Sequence, residues 1–141
     1  MNNAYKHGNS NQIQRLDWLR MSTNPQLDEI LDGLRKIQGI HGTALVEKYG
    51  LVSGQALPAW IDAESLGAMV NLIVKASARA TRELAQGEFK SAMIDNEKGR
   101  LIFTALGSKI LIIVATPNVA MGILQVKLQT AAQAIYQLGI T

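Results

Sequence analysis

The most constraining feature of this sequence is a short segment, residues 109–116, in which apolar side chains occupy both faces of a predicted strand. Its consecutive apolar residues are Ile110, Leu111, Ile112, Ile113 and Val114. A strand that is apolar on both faces must be covered on both sides, so it belongs in the middle of a sheet with helices on either side. The run is also far shorter than the roughly 20 residues that cross a bilayer as a helix. We therefore expect a layered domain and no membrane insertion.

The remaining segments follow a definite order of helices and strands. Asn24 and Pro25 predict the start of a first helix that Gly39 ends. Asp62 caps a long helix that is expected to reach about residue 86, with Gly87 as its terminator. Strands are predicted at residues 43–48, 51–57, 88–95, 100–106 and 109–116, and a last helix at about 118–138. The order α-β-β-α-β-β-β-α predicts an α/β (α+β) fold in which the long helix crosses between two antiparallel blocks.

Composition argues against several functional classes. The chain has 141 residues, of which 48% are hydrophobic, and this suffices for one domain to bury its own core. It has no cysteine, which excludes disulfides, thiolate metal sites and a cysteine nucleophile. His7 and His41 are its only histidines, and no catalytic or metal-binding motif is present. A net charge of +3 without a clustered patch does not indicate nucleic-acid binding. We expect no enzymatic activity, no cofactor and no metal.

The first 21 residues differ from the rest of the chain. Residues 1–21 are rich in Asn and Gln and lack the apolar segment of a secretory signal. They are expected to form a flexible polar arm, or one that docks on the body or on a second copy. Residues 22–141 are expected to form the folded domain, in the cytoplasm.

The long central helix carries three basic side chains on one face. Lys75, Arg79 and Arg82 stand four and three residues apart, which aligns them along the helix. They form either a solvated face or a docking strip for an acidic partner. The stripe on the opposite side of the helix comprises Leu66, Met69, Val70, Ile73, Ser77, Ala80 and Leu84. A third side carries small residues such as Gly67, and we interpret it as a face on which two copies of the helix approach closely.

The strand predicted at residues 88–95 should lie at an edge of the sheet, because it follows the crossover helix and has only one neighbour. Its side chains alternate, with Phe89 and Met93 on one face and Lys90 and Ile94 on the other. An exposed edge with apolar alternation invites pairing with another chain. The sequence therefore predicts a homodimer.

Three segments resemble roadblock/dynein light chain domains. The first has the pattern Leu34-x-x-Ile37-x-Gly39-Ile40-x-Gly42-x-Ala44-Leu45-Val46, followed by Tyr49-Gly50-Leu51-Val52. The others are Asp62-x-Glu64-x-Leu66 at the start of the long helix and Ala120-Met121-Gly122-Ile123-Leu124-x-x-x-Leu128 in the last one. The resemblance extends over about residues 24–139.

The resemblance implies a fold similar to profilin and longin modules. In that fold a five-stranded, mostly antiparallel sheet has two helices on one face and the crossover helix on the other. Such domains dimerise through the long helix and the third strand, and they are not enzymes by themselves. On this basis, the dimer interface would comprise Val70, Ile73, Val74, Ser77, Phe89, Ser91 and Met93.

The resemblance also implies a partner. Prokaryotic members similar to gliding protein B bind small Ras-like GTPases and modulate nucleotide hydrolysis, and eukaryotic members act as motor light chains or scaffold subunits. Lys75, Arg79 and Arg82 are then the candidate contacts to the partner. The leading hypothesis is a homodimer that binds a small GTPase and tunes its nucleotide cycle. The alternatives are a scaffold without effect on nucleotide, or a small-ligand sensor, which would need a deep pocket with convergent polar groups.

Overall fold

The computed structural model describes residues 24–141, and the sequence predictions for residues 1–21 lie outside this range. Three helices are present in it: α1 (Pro25–Arg35), α2 (Ala63–Glu83) and α3 (Met121–Gln137). The strands are β1 (Ile40–Glu47), β2 (Val52–Ala56), β3 (Ser91–Asn96), β4 (Gly99–Leu106) and β5 (Lys109–Ala115). The order of elements is the one expected from the sequence.

The strands form one antiparallel sheet in the order β2-β1-β5-β4-β3. The doubly apolar strand β5 lies at its centre, where Leu111 pairs with Leu45 of β1 and Ile112 pairs with Phe103 of β4. Strand β3 pairs with β4 alone, so its predicted edge position is confirmed.

Helices α1 and α3 cover one face of the sheet. Their buried side chains pack with the strands in two adjoining clusters: Leu27, Leu31, Leu34, Leu45, Leu106, Leu111, Ala131 and Ile135, and Ile40, Ile102, Ile113, Ala115, Val119 and Leu124. The buried Thr43 hydroxyl of β1 donates to the Leu31 carbonyl oxygen at 2.8 Å, which ties α1 to the sheet.

Helix α2 covers the opposite face. The buried cluster between it and the sheet comprises Ala44, Val46, Leu66, Val70, Phe103 and Ile112. The sheet thus has two helices on one face and the crossover helix on the other. This is the expected α/β (α+β) arrangement, and the prediction is confirmed.

Both predicted helix caps are present. The Asn24 side chain accepts hydrogen bonds from the backbone amides of Gln26, at 2.9 Å, and Leu27, at 3.4 Å. The Asp62 carboxylate accepts from the Ser65 hydroxyl at 2.5 Å and from the Ser65 amide at 3.1 Å. These two bonds hold the pKa of Asp62 below its usual value of 3.8, and the bond from the hydroxyl contributes more than the bond from the amide.

The long helix ends earlier than predicted. Helix α2 stops at Glu83, and Ala85 adopts a left-handed conformation with φ of 58°. The Ala85 amide donates to the Arg82 carbonyl, and the Gln86 amide donates to the Thr81 carbonyl at 2.8 Å, which is a Schellman motif. Alanine, rather than the expected glycine, therefore terminates this helix.

The neighbouring strand β3 begins at Ser91, three residues later than predicted. Phe89 thus lies before the strand, and its side chain packs against the cluster beneath α2. Met93 pairs with Ile102, which belongs to the cluster on the α1 and α3 side. The expectation that Phe89 and Met93 share one face is wrong, because the alternation applies only within the strand.

Candidate partner-binding surface

A close backbone contact positions the first half of α2. A Cβ atom added to Gly67 would lie 2.2 Å from the carbonyl oxygen of Gly50, in the turn between β1 and β2. Gly67 is buried in this contact. Because Gly67 has no side chain, α2 can approach this turn of its own chain closely. The expectation that Gly67 contacts a second copy of the helix is therefore corrected.

The two halves of α2 differ in burial. Its buried residues, Leu66, Gly67 and Val70, all lie in the first half, and every residue from 71 to 83 is half-buried or exposed. The second half thus projects over the sheet without burying a side chain fully.

The outer side of α2 carries an apolar stripe, defined by the exposed residues Met69, Leu72, Ala76 and Ala80. Their spacings of three and four residues align them on one side of a helix. Met69 is 55% exposed and Leu72 is 69% exposed. Met69 and Ala80 belong to the stripe that the sequence places opposite the basic residues, and Leu72 is not among the residues that the sequence predicts for any interface. Apolar residues occupy so wide an arc of this helix that periodicity alone could not fix its rotation.

The residues predicted for the dimer interface are distributed over three environments. Val70 is only 1% exposed and belongs to the core of its own chain. The half-buried ones, next to α2 or on it, are Ile73, Val74, Ser77 and Phe89. Ser91 and Met93 are exposed on β3, where Met93 shows 50% of its surface. The interface prediction stays a prediction, but Val70 has little surface left for a partner.

The three basic residues of α2 have separate local partners. Arg79 donates from Nε to the Glu83 carboxylate at 2.9 Å, in an exposed ion pair. The Lys75 ammonium lies 5.8 Å from the centre of the Tyr49 ring. Arg82 donates from Nε to the Ala78 carbonyl at 3.2 Å.

A groove of about 540 Å³ lies beneath the second half of α2, and we call it the α2 groove. Its lining comprises Val46, Glu47, Lys48, Val70, Asn71, Val74, Lys75, Ala78, Arg82, Glu88, Phe89, Ala105, Gly107, Ser108 and Ile110. Lys75 and Arg82 are part of this lining, and Arg79 is not. Lys48, in the turn after β1, joins them, whereas the sequence predicted it as the last residue of a strand and not as a site residue.

Positive charge predominates around the α2 groove. Lys109 places its ammonium 3.5 Å from the Glu47 carboxylate and donates to the Ser53 hydroxyl at 2.8 Å. Among residues 24–141, no salt bridge engages Lys48, Lys75 or Arg82. Since Lys109 offsets Glu47, the remaining acid in the lining is Glu88.

Residues 24–141 contain no cluster of histidine and acidic residues that could hold a metal ion. Within the same range, every buried side-chain polar atom has a hydrogen-bond partner. No helix between Asn24 and Thr141 is long and apolar enough to cross a membrane.

Comparison with known proteins identifies relatives of this chain. The model of the Roadblock/LC7 domain family matches residues 26–116. An uncharacterized protein of Methanocaldococcus jannaschii is 33% identical over 109 residues, which cover 77% of this chain and 96% of that protein. The resemblance to this family is therefore confirmed, and the matched residues include the first two sequence motifs.

Solved structures share the fold. MglB of Myxococcus xanthus superimposes with a TM-score of 0.76 at 21% identity, covering 81% of this chain and 94% of that one. The gliding protein MglB of Thermus thermophilus gives 0.70 at 17% identity, with coverages of 79% and 87%. Profilin IB of Acanthamoeba castellanii gives 0.58 at 12% identity, with coverages of 81% and 99%. The profilin-like architecture implied by the resemblance is thereby confirmed.

Proposed function

This chain belongs to the Roadblock/LC7 domain family, and on that premise we propose that it is a non-catalytic, homodimeric interaction module. Its proposed partner is a small Ras-like GTPase whose nucleotide cycle it modulates, as the similarity to gliding protein B implies. The proposal places the protein in the cytoplasm together with that GTPase.

The observation that carries the proposal is the apolar stripe on the outer side of α2. Met69 and Leu72 leave more than half of their surface in water. Burying apolar surface is worth about 25 cal/mol per Å², so covering the stripe with a second copy would stabilise a complex. A two-fold axis beside α2 would place the same stripe of both chains together, as closed dimers require.

The exposed edge of β3 is a second observation in favour of a dimer interface on this side of the molecule. Its outer backbone groups lack a neighbouring strand among residues 24–141, and Met93 and Ser91 are exposed beside them. An unpaired edge is a template for pairing with another chain. Ile73 is proposed to line the interface from its half-buried position, and it contacts the core beneath α2 as well.

The proposed GTPase contacts are Lys75, Arg79 and Arg82, which lie on the second half of α2. Charged side chains at the rim of an interface mainly accelerate association and select partners of opposite charge. A rigid platform that fits one arrangement of the partner's switch loops better than another shifts their equilibrium by its differential affinity. This mechanism needs no catalytic group from the platform.

Mixing the purified 141-residue chain with a small Ras-like GTPase encoded by a neighbouring gene tests the proposal. The expected result is a complex together with a changed rate of GTP turnover or nucleotide release. A variant carrying Lys75→Glu, Arg79→Glu and Arg82→Glu should lose the effect, whereas Lys127→Glu on α3 should keep it. Binding without a change in nucleotide rates would leave a scaffold role, and absence of binding would contradict the assigned partner.

A further inference from the structure

We propose that the α2 groove binds an extended peptide segment of another protein, in which an acidic side chain lies next to an apolar one. This inference concerns the groove beneath α2, distinct from the outer stripe, and it does not depend on the partner being a GTPase. It adds Lys48 to the recognition surface and makes Arg79 unnecessary for it.

The lining of the α2 groove combines two chemistries. Its inner side chains are apolar and half-buried or buried: Val46, Val70, Val74, Phe89 and Ile110. Its charged side chains are exposed at the rim. A volume of about 540 Å³ accommodates a few side chains of a peptide, with the apolar ones directed inward and the charged ones left at the rim.

The rim determines the charge of the occupant. Lys48, Lys75 and Arg82 have no salt bridge within residues 24–141, and Lys109 already offsets Glu47. The Tyr49 ring lies beneath the Lys75 ammonium, and a cation over an aromatic face is held there by electrostatic attraction. An acidic side chain that enters between these cations would gain attraction that an uncharged peptide would not.

Two other occupants fit the groove less well. A second copy that docked groove to groove would bring the same three cations together around a two-fold axis, which is repulsive. A small molecule is usually enclosed over most of its surface by its pocket. Here the charged side chains of the rim are all exposed: Lys48, Lys75, Arg82 and Glu88. The groove is therefore open to solvent along its rim and would leave that side of a small molecule uncovered.

Selection from a random peptide library displayed on phage, with the 141-residue chain as bait, tests the inference. The expected enriched peptides carry Asp or Glu beside an aliphatic or aromatic residue. The best of them is then synthesised with a fluorophore, and its affinity is measured by anisotropy together with a twin in which each acidic residue is replaced by its amide.

The double variant Lys48→Glu with Arg82→Glu should weaken binding of the acidic peptide by about tenfold or more, because two attractions become repulsions. Lys127→Glu makes the same kind of charge change on the opposite side of the sheet and should alter the affinity by less than about twofold. Circular dichroism of each variant checks that it is folded.

Several outcomes would overturn the inference. They are enrichment of no peptide or of peptides without acidic residues, equal affinity for the amide twin, and equal loss in the Lys127→Glu control. If the double variant instead changes the sedimentation of the protein alone, the groove is occupied by a second copy. If inorganic pyrophosphate displaces the labelled peptide as effectively as unlabelled peptide does, the groove is a site for small anions.

Discussion

The two faces of the sheet are covered to different degrees. Beneath α1 and α3, large side chains such as Leu31, Leu124 and Ile135 are completely buried. Beneath α2, Val70 is the last helix residue to be buried, and the helix continues for more than three turns beyond it. The two helices on the first face bury side chains along their whole length, whereas the second half of α2 buries none. This difference leaves the second half of α2, with its apolar stripe and the α2 groove, as the surface proposed above to meet partners.

The largest expected effect is a difference in the free energy of unfolding when leucine is replaced by alanine on each of the two faces. Leu31→Ala removes a fully buried side chain and should lower the free energy of unfolding by about 2–5 kcal/mol. Leu72→Ala removes an exposed one and should change it by less than about 0.5 kcal/mol. Urea unfolding at a protein concentration where the chain is monomeric measures both. Similar losses in the two variants would contradict the comparison.

The next effect concerns the contact that holds the first half of α2. Gly67→Ala places a methyl group against the Gly50 carbonyl and should cost roughly 1–3 kcal/mol of stability. Gly33→Ala in α1 is the matched control, since the added Cβ would meet no atom within 4 Å beyond its chain neighbours and the adjacent backbone of its own helix. Helix propensity predicts that this control gains about 0.5–1 kcal/mol. Thermal unfolding of both variants measures the contrast, and a neutral Gly67→Ala would refute the close approach.

A third comparison sets the apolar stripe of α2 against an equally exposed site on α3. Leu72→Glu should weaken self-association by about tenfold or more, because a carboxylate without a partner would be desolvated in the interface. Val126→Glu on α3 starts from a side chain that is 64% exposed, and it should leave self-association unchanged. Sedimentation velocity over a range of concentrations measures both. An intact dimer with Leu72→Glu would show that the stripe is not the interface.

The end of α2 offers a smaller, stabilising change. Ala85 holds a left-handed conformation that costs a residue with a Cβ atom roughly 1–2 kcal/mol. Ala85→Gly relieves that cost but adds entropy to the unfolded chain, so a net gain of about 1 kcal/mol is expected. A higher midpoint in urea unfolding would agree with this expectation. A loss of stability would mean that the Schellman motif does not determine where the helix ends.

The smallest effect is a pH dependence at the other end of α2. The pKa of Asp62 is lowered by its bonds to Ser65, so the cap stabilises the fold at pH values above the ordinary aspartate pKa. This contribution should be lost as the pH falls through the lowered pKa, when the carboxyl group becomes protonated. Asp62→Asn retains a capping oxygen without this titration, and its stability should depend less on pH below about 4. Identical acid unfolding curves would refute the assignment.

Much of the fold follows from local patterns in the sequence. Asn24 and Asp62 are strong caps, and the doubly apolar strand β5 has no stable place except the centre of the sheet. The end of α2 could not be predicted, since alanine carries no signal for the left-handed conformation of Ala85. The role of Gly67 depends on Gly50, which lies 17 residues away in the sequence and meets it only after folding.

The candidate surface was predicted less completely than the fold. The spacing of Lys75, Arg79 and Arg82 places them on one side of α2, but only the tertiary structure shows that Arg79 is outside the α2 groove. Lys48 belongs to a turn, and it reaches the groove because α2 crosses that end of the sheet. Helix rotation decides which apolar residues face outward, and this rotation is set by packing rather than by periodicity.

Hydroxyl-radical footprinting of the 141-residue chain, at concentrations below and above self-association, tests directly whether the apolar stripe of α2 is covered in the dimer. Met69 and Leu72 on α2 are as exposed as Ile123 and Tyr136 on α3, so all four report on solvent access. If the apolar stripe is the interface, Met69 and Leu72 lose reactivity as the dimer forms, while Ile123 and Tyr136 keep theirs. Protection of the α3 residues, with Met69 and Leu72 still reactive, would contradict it.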